Sequence, residues 1–323
     1  VTGAIDLAGN ALDIAAESIT IAAAAPVTGA SDVTLTALAS DAATSSGGDV
    51  TAQVIVEGDV TATGAVSFDA TVTRDVDRTA ASNADVTGSS TAQVFVTSTV
   101  MAGTFAASAT TDGTVGATST GQNGLLSLDG ASIDFDESAL VRIGQQPGGA
   151  PDAASITADS VALSASTATA YSATGGTAGI GVDGTTEASI LGSSVTANAG
   201  AIRAMATDSA TLTALTNERS IEVSAVVIDI GADITSASTR LDRTVLASAQ
   251  GSTLAATAGE IALEAGSTVV LSSTAMAEAL DDTAGAFGVL DVQGGGTQAT
   301  NTLLGTITAE LVGGSATTTT SGD

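Results

Sequence analysis

The stretch 195–215, which reads VTANAGAIRAMATDSATLTAL, is repeated in outline by the stretch 254–274, which reads LAATAGEIALEAGSTVVLSST. Apolar residues match at Val195 and Leu254, and both copies have glycine at their sixth position. Each copy reads as a short strand, a corner and a second strand. Such a unit cannot bury its apolar face alone, but stacked copies bury a continuous core. The two stretches therefore predict a repeat in which each copy forms one layer.

Six clear copies of this unit can be aligned, and two looser copies begin at Ile133 and Ile228. The clear copies begin at Ile14, Val60, Ile156, Val195, Leu254 and Ile307. The steps between these starts are unequal, so we expect insertions of different lengths between the layers. A layer of about 20 residues would make the chain a rod of about 15 layers.

The composition favours stacked β-layers over a conventional globular core. The 323 residues include 44% hydrophobic residues and 37 glycines, but no tryptophan, one tyrosine and five phenylalanines. Stacked layers use small and β-branched residues, whereas irregular cores recruit large aromatic side chains. Apolar and polar residues alternate with a period of two, as in 133–136 and 261–264, which is typical of strands with one buried face. The sequence therefore predicts an all-β protein.

Glycine and proline mark the breaks between the predicted strands. Gly175-Gly176 and Asp183-Gly184 separate alternating stretches and resemble hairpin signals. We expect long strands that leave the layer, turn and return. The segment 145–151 holds two of the three prolines and is a candidate loop or junction, and 313–323 is a low-complexity tail. We expect residues 1–323 to form a single elongated segment, which is either cut from a longer array or joined end to end with other copies.

The charge of the chain excludes two classes of partner. Thirty-five acidic residues stand against seven arginines, and the net charge is −28. A nucleic-acid-binding protein needs a basic face that displaces counterions, and an anionic membrane surface makes the same demand. No run of 18 apolar residues is present, so the sequence contains no predicted membrane span.

The chain contains no histidine, cysteine or lysine, which excludes catalytic triads, Schiff bases, disulfides and most zinc sites. Carboxylates are the remaining chemical groups. Asp134, Asp136 and Glu137 lie close together in an alternating stretch, with Asp134 and Asp136 on one face of the predicted strand. They fit a glycosidase pair or oxygen ligands for calcium, and they equally fit the polar face of an amphipathic strand.

The same alternatives apply to other acidic pairs, namely Asp75 with Asp77, Asp229 with Asp233, and Asp281 with Asp282. Arg74 and Arg78 flank the first of these pairs. The simplest interpretation is that they form surface ion pairs, which contribute little to stability.

Segments such as 59–68 (DVTATGAVSF) and 258–265 (AGEIALEA) resemble the repeats of filamentous-haemagglutinin-like exoproteins, which are large repetitive bacterial surface proteins of the adhesin type. The resemblance implies a right-handed parallel β-helix (β-solenoid), here with irregular insertions between its layers. It also implies secretion and a role in adhesion or surface coating. The acidic, cysteine-free composition is similar, more distantly, to that of bacterial surface-layer proteins.

These features predict a structural, non-catalytic segment that acts as an adhesin stalk or fibre on the cell surface or as part of a secreted protein. Its expected partners are neighbouring segments or other copies of the same protein, and a host or neighbour-cell surface. We expect no cofactor, with calcium at Asp134, Asp136 and Glu137 as the alternative. Another role consistent with the sequence is a self-assembling subunit of an extracellular filament or surface layer.

Overall fold

The computed structural model describes residues 1–41, 47–120, 130–146, 148–149, 152–216, 230–276 and 292–319, and gives only the backbone for 230–234 and 292–296. Within these ranges the chain forms twenty-two β-strands and no helix. The strands belong to three sheets, and every strand pairing between described residues is parallel. The chain is a parallel β-helix, which confirms the predicted stack of β-layers.

Each turn of the helix, here called a rung, contributes one strand to each sheet. The short sheet consists of β1 (Ile5–Asp6), β4 (Val27–Ala30), β7 (Val60–Ala62), β10 (Thr99–Met101), β13 (Ser155–Ala158), β16 (Ser194–Ala197), β19 (Thr253–Ala256) and β22 (Ser315–Thr318). The outgoing sheet consists of β2 (Leu12–Ala16), β5 (Val33–Asp41), β8 (Ala65–Ala80), β11 (Thr104–Ser119), β14 (Ser160–Gly175), β17 (Ile202–Thr216) and β20 (Ile261–Thr274). The returning sheet consists of β3 (Ser18–Ile21), β6 (Gly47–Val56), β9 (Ala84–Val96), β12 (Gly130–Ile143), β15 (Thr177–Leu191), β18 (Ile230–Gln250) and β21 (Val292–Val312).

The short sheet contains the repeat that the sequence predicts. Val60, Val100, Ile156, Val195 and Leu254 occupy one register position in five successive rungs. All five side chains are buried. Because each apolar residue lies directly over the previous one, the column forms a continuous aliphatic interior. The alignment of the copies that begin at 60, 156, 195 and 254 is confirmed, and Val100 begins a rung that the alignment misses.

Two of the six clear copies are wrong in their placement. Ile14 pairs with Leu35 in the outgoing sheet, and Ile307 pairs with Val245 in the returning sheet. Their alternating patterns resemble the short-sheet motif because any half-buried strand has the same period. The looser copy at Ile133 also lies in the returning sheet. The copy at Ile228 lies outside the described residues.

The last rungs are much longer than the first, although the increase is not steady, and this changes the shape that the sequence predicts. Equivalent positions are 22 residues apart in the first turn, from Ile5 to Val27, and 62 apart in the last, from Leu254 to Ala316. The chain therefore forms seven complete rungs followed by β22, fewer than the roughly 15 layers expected for 20-residue rungs. Seven steps between strands span about 34 Å, whereas a 21-residue strand spans about 70 Å. The stack is broader than it is tall.

The added length lies in the outgoing and returning strands, which form a wing of two facing sheets. Gly175 and Gly176 mark the turn between β14 and β15, as predicted. Asp183-Gly184 is not a turn, since both residues lie within β15. The described residues of 145–151 lie between β12 and β13, and within the tail 313–323 the stretch Ser315–Thr318 pairs with β19.

Two hydrophobic cores fill the interior. The inner core lies beside the short sheet and includes Phe68 and Phe105, whose rings meet edge to face at 5.6 Å. The outer core lies further along the wing and includes Phe135 and Tyr171, with ring centroids 5.9 Å apart. A layer of buried polar and charged side chains separates the two cores.

Candidate functional site

Most of the buried charged side chains of the described residues lie in the polar layer between the two cores. Arg74, Glu137, Asp208 and Arg243 are each no more than 4% exposed. Their strands place them there, because every second residue of a strand faces inward. Arg243, for example, lies between the buried residues Leu241 and Val245 in the same inward phase. The alternation thus forces these charges into the interior.

Glu137 is the centre of this ionic cluster. Its Oε1 accepts hydrogen bonds from Thr111 Oγ1 at 2.6 Å and from Thr169 Oγ1. Its Oε2 accepts hydrogen bonds from Tyr171 OH at 2.9 Å and from Arg243 Nη2. A carboxylate that accepts four bonds in the interior has recovered the interactions it lost on leaving water.

Asp208 forms the second acidic part of the cluster. Its Oδ1 accepts a hydrogen bond from Thr167 Oγ1 at 2.7 Å, and its Oδ2 accepts one from Ser267 Oγ at 2.8 Å. Arg243 Nη1 lies 3.6 Å from Asp208 Oδ1. Arg243 therefore lies between two carboxylates, Glu137 and Asp208, which neutralise its charge.

Arg74 lies on the side of the cluster that faces the second rung. It is close to the end of β5 and the start of β6. Its Nη2 donates hydrogen bonds to the carbonyl oxygens of Gly48 at 2.8 Å and Ser89 at 2.7 Å. Its Nη1 lies 3.6 Å from Asp41 Oδ2, and the guanidinium stacks 4.8 Å from the ring centroid of Phe135. The interpretation of Arg74 as part of a surface ion pair is therefore wrong.

Burial and neighbouring charges shift the pKa values of Arg74, Arg243 and Tyr171. The pKa of Arg74 is lowered, and the pKa values of the other two are raised. Burial lowers the pKa of Arg74, and the charge of Asp41 offsets part of that shift. Burial also acts to lower the pKa of Arg243, but Glu137, Tyr171 and Asp208 raise it, and the net shift is upward. Burial, reinforced by the charge of Glu137, raises the pKa of Tyr171 well above its ordinary value. Tyr171 therefore stays protonated and donates its hydrogen bond to Glu137.

The structure places the three acidic residues that the sequence suggested as a site on opposite faces of one strand. Asp134 and Asp136 are exposed on the outer face of the returning sheet, whereas Glu137 faces inward and is 1% exposed. Successive strand residues point to opposite faces, so these three carboxylates cannot converge on one ion. Calcium binding at the outer pair stays a prediction. Among the described residues, no group of three or more candidate ligands is placed to hold a metal ion.

The outer pair lies in a shallow groove of about 570 Å³. Asp136 is in register with Asp183, and Asp183 is in register with Asp242, so three aspartates follow one another across adjacent strands. Arg240 pairs with the last two of these, Asp183 at 2.7 Å and Asp242 at 3.0 Å. The row is an acidic outer surface that is partly neutralised.

The remaining acidic pairs contribute nothing further to the site. Asp75 and Asp77 are exposed on the outer face of β8. Asp229, Asp281 and Asp282, together with the side chain of Asp233, lie outside the described residues.

Comparisons with protein-family models, curated proteins and solved structures find no match to this chain. Among the described residues, no helix has the length and apolar character that crossing a membrane requires. Function must therefore be inferred from the geometry of the stack and its buried charges.

Asp208, Tyr171 and Arg243 are members of the cluster that reasoning from the sequence misses. The sequence does contain a signal for the two charged residues, Asp208 and Arg243. A charged residue with apolar residues at positions i−2 and i+2 lies in the inward phase of a strand. Arg243 and Glu137 both satisfy this pattern. That two such residues meet across separate rungs is visible only in the folded chain.

Proposed function

We propose that this chain is a structural, non-catalytic segment of a secreted bacterial surface protein, where it acts as an adhesin stalk or fibre. The observation that carries the proposal is the parallel pairing of the short sheet, which runs from Ile5 to Ala316 with a single register shift between β4 and β7. Such a stack transmits load through backbone hydrogen bonds between neighbouring rungs. Its stability depends on each rung and its interface with the next, which suits a part that links or presents others.

The buried cluster supports a structural role. Glu137 and Asp208 are sealed from solvent and already bonded to threonine, serine, tyrosine and arginine side chains. A general acid or base must come within hydrogen-bond reach of its substrate, and these carboxylates have no such access. Their contacts instead hold consecutive rungs in register.

Immunogold labelling of the source bacterium tests the surface location. Antibodies raised against the purified chain are expected to label intact cells. Labelling that requires permeabilised cells would contradict the proposal. A polysaccharide-cleavage screen tests the non-catalytic part, with Asp134→Ala and Asp136→Ala as variants of the exposed outer pair. Cleavage by the wild type that both variants lose would overturn it.

A second candidate function is a self-assembling subunit of an extracellular filament or surface layer. It is favoured by the parallel strand pairing along the short sheet, because the same kind of pairing would join the rungs of one copy to those of the next. Electron microscopy of the purified chain separates the two functions. Discrete particles support the stalk, and regular polymers support the subunit.

A further inference from the structure

A trough follows β15 on the outer face of the returning sheet. Positions 179 and 181 alternate with buried residues of this strand, face outward and are both glycine, so no side chain projects from the strand there. The neighbouring strands β12 and β18 flank β15 and lie about 9.6 Å from each other. The side chains of Thr177 and Asp183 close the two ends, which gives this glycine trough a length of about 20 Å.

The fold does not require glycine at either position. Neither Gly179 nor Gly181 has a positive φ. A Cβ at Gly179 would come no closer than 3.7 Å, to Ser238 Oγ, and a Cβ at Gly181 no closer than 3.7 Å, to Asp134 Oδ1. Gly184 in the same strand differs, because a Cβ there would overlap the backbone of β12. Glycine weakens the interior of a strand and often marks a place where a ligand approaches the backbone closely.

Polar side chains line both sides of the glycine trough. Ser132 and Asp134 of β12 are in register with the two glycines on one side, and Ser238 and Arg240 of β18 on the other. All four are exposed or half-buried. Ser132 Oγ donates a hydrogen bond to Asp85 Oδ1 at 2.7 Å, which continues the polar lining onto β9. The trough therefore offers hydroxyl, carboxylate and guanidinium groups, and no large apolar side chain lines it.

The space above the trough is large enough for a ligand. Ser132 and Gly179 line a hollow of about 320 Å³ that reaches from Asp85 to Ser238. The groove of about 570 Å³ that contains Asp134 begins two residues further along β12. Both volumes fall within the range of about 300–1,000 Å³ that is typical of ligand sites. The two hollows lie on one face and together suit an extended ligand.

The chemistry of the lining excludes other classes of ligand. An extended peptide binds at a sheet edge or through apolar pockets, whereas β15 is paired on both sides. The carboxylates of Asp85, Asp134 and Asp183 repel an anionic polymer. Among the described residues, no three candidate ligands are placed to hold a metal ion. An uncharged ligand rich in hydroxyl groups fits the lining best.

We propose that the glycine trough binds a neutral glycan chain. Sugar hydroxyls both donate and accept hydrogen bonds, so they match the carboxylate of Asp134, the guanidinium of Arg240 and the hydroxyls of Ser132 and Ser238. The bare backbone at the glycines lets a sugar ring approach the sheet closely. The inference goes beyond the proposed function, which requires no ligand, and it involves binding without cleavage.

A printed array of neutral, sulfated and uronic-acid-containing glycans tests the class of ligand. The fluorescently labelled 323-residue chain is expected to bind one or more neutral glycans and none of their sulfated counterparts. Isothermal titration with the neutral glycan that binds most strongly then gives the Kd for each variant. Surface location is tested separately by immunogold labelling, so the two proposals can fail independently.

Filling the trough tests the site itself. We expect Gly179→Val and Gly181→Val each to weaken binding at least tenfold, whereas the melting temperature stays the same or rises because valine suits a strand. Gly266→Val is the matched control on the outer face of the outgoing sheet, where a Cβ would meet nothing within 4 Å. This control is expected to bind as the wild type does.

Asp134→Asn provides a second variant that leaves the shape of the trough unchanged, and it is expected to weaken binding several-fold. Circular dichroism checks that each variant is folded. The proposal would be overturned by an array without a bound neutral glycan or by equal binding of sulfated glycans. It would also be overturned if Asp134→Asn and the folded valine variants kept the affinity of the wild type.

Discussion

Glu137 and Arg243 form a buried ion pair although they belong to rungs that are not neighbours. In the returning sheet Glu137 is in register with Gly184, and Gly184 is in register with Arg243. Two interstrand steps separate the backbones of the pair by about 9.6 Å. The residue between them in register is glycine, so no side chain lies between the two charged groups. One ion pair thus joins three rungs.

Removing one partner of this pair is expected to be strongly destabilising. Glu137→Gln leaves the positive charge of Arg243 compensated by Asp208 alone, and we expect a loss of about 3–5 kcal/mol in the free energy of unfolding. Urea unfolding followed by circular dichroism measures it. The double variant Glu137→Met/Arg243→Met is expected to lose less than the sum of the two single variants, because the two residues interact directly. Equal and additive losses would show that the two residues do not interact.

A methyl group at position 184 is expected to disturb the same region. The Cβ of Gly184→Ala would overlap the carbonyl oxygen of Glu137, a backbone atom that cannot rotate away. We expect a cost of about 1–3 kcal/mol, seen as a lower melting temperature. Gly181→Ala in the same strand is the control, since its Cβ would make ordinary contacts of 3.7 Å and longer. Equal effects of the two substitutions would contradict this expectation.

The single tyrosine provides a direct pH test of the cluster. The pKa of Tyr171 is raised in the folded state, so between the unfolded pKa and the folded pKa the unfolded chain binds fewer protons. The stabilisation is complete below about pH 10, and we expect it to be lost above that value at about 1.4 kcal/mol per pH unit.

Alkaline titration with ultraviolet absorbance follows tyrosinate formation at Tyr171 alone, because the chain has no other tyrosine and no lysine, cysteine or tryptophan. Tyr171→Phe is expected to remove the pH dependence of unfolding above about pH 10. A folded-state titration near the ordinary tyrosine value would rule out the buried hydrogen bond to Glu137.

The acidic row on the outer face is expected to respond to salt. Asp136 and Asp183 lie on adjacent strands about 4.8 Å apart and repel each other. We expect Asp136→Asn to stabilise the fold by a few tenths of a kcal/mol at low ionic strength, with the gain reduced at high salt. Asp13→Asn, on an exposed position in register with Thr34, is the control and should have no such effect.

Thermal melts also test whether calcium binds at the outer pair, Asp134 and Asp136. Calcium at matched ionic strength is compared with sodium for the wild type and for Asp134→Asn/Asp136→Asn. A calcium-specific rise in melting temperature that the double variant loses would establish these residues as ligands. Equal melting temperatures in both salts would exclude them as a stabilising calcium site.

The sequence by itself determined the stacked β-fold and four residues of its inner column, Val60, Ile156, Val195 and Leu254. Alternation with a period of two defines a half-buried strand, and Val195 and Leu254 occur at matched places in two copies of one motif, so local pattern is sufficient. The same local rule misplaced Ile14 and Ile307, because strands in all three sheets share that period.

Only the tertiary structure decided the wing and the buried ionic cluster. Rung length depends on where the chain turns, and Asp183-Gly184 shows that a turn-like dipeptide can continue a strand when its neighbours are already paired. Glu137 and Arg243 are 106 residues apart, and no sequence period links them. Their contact follows from register between rungs, which is set by the packing of whole layers rather than by any residue alone.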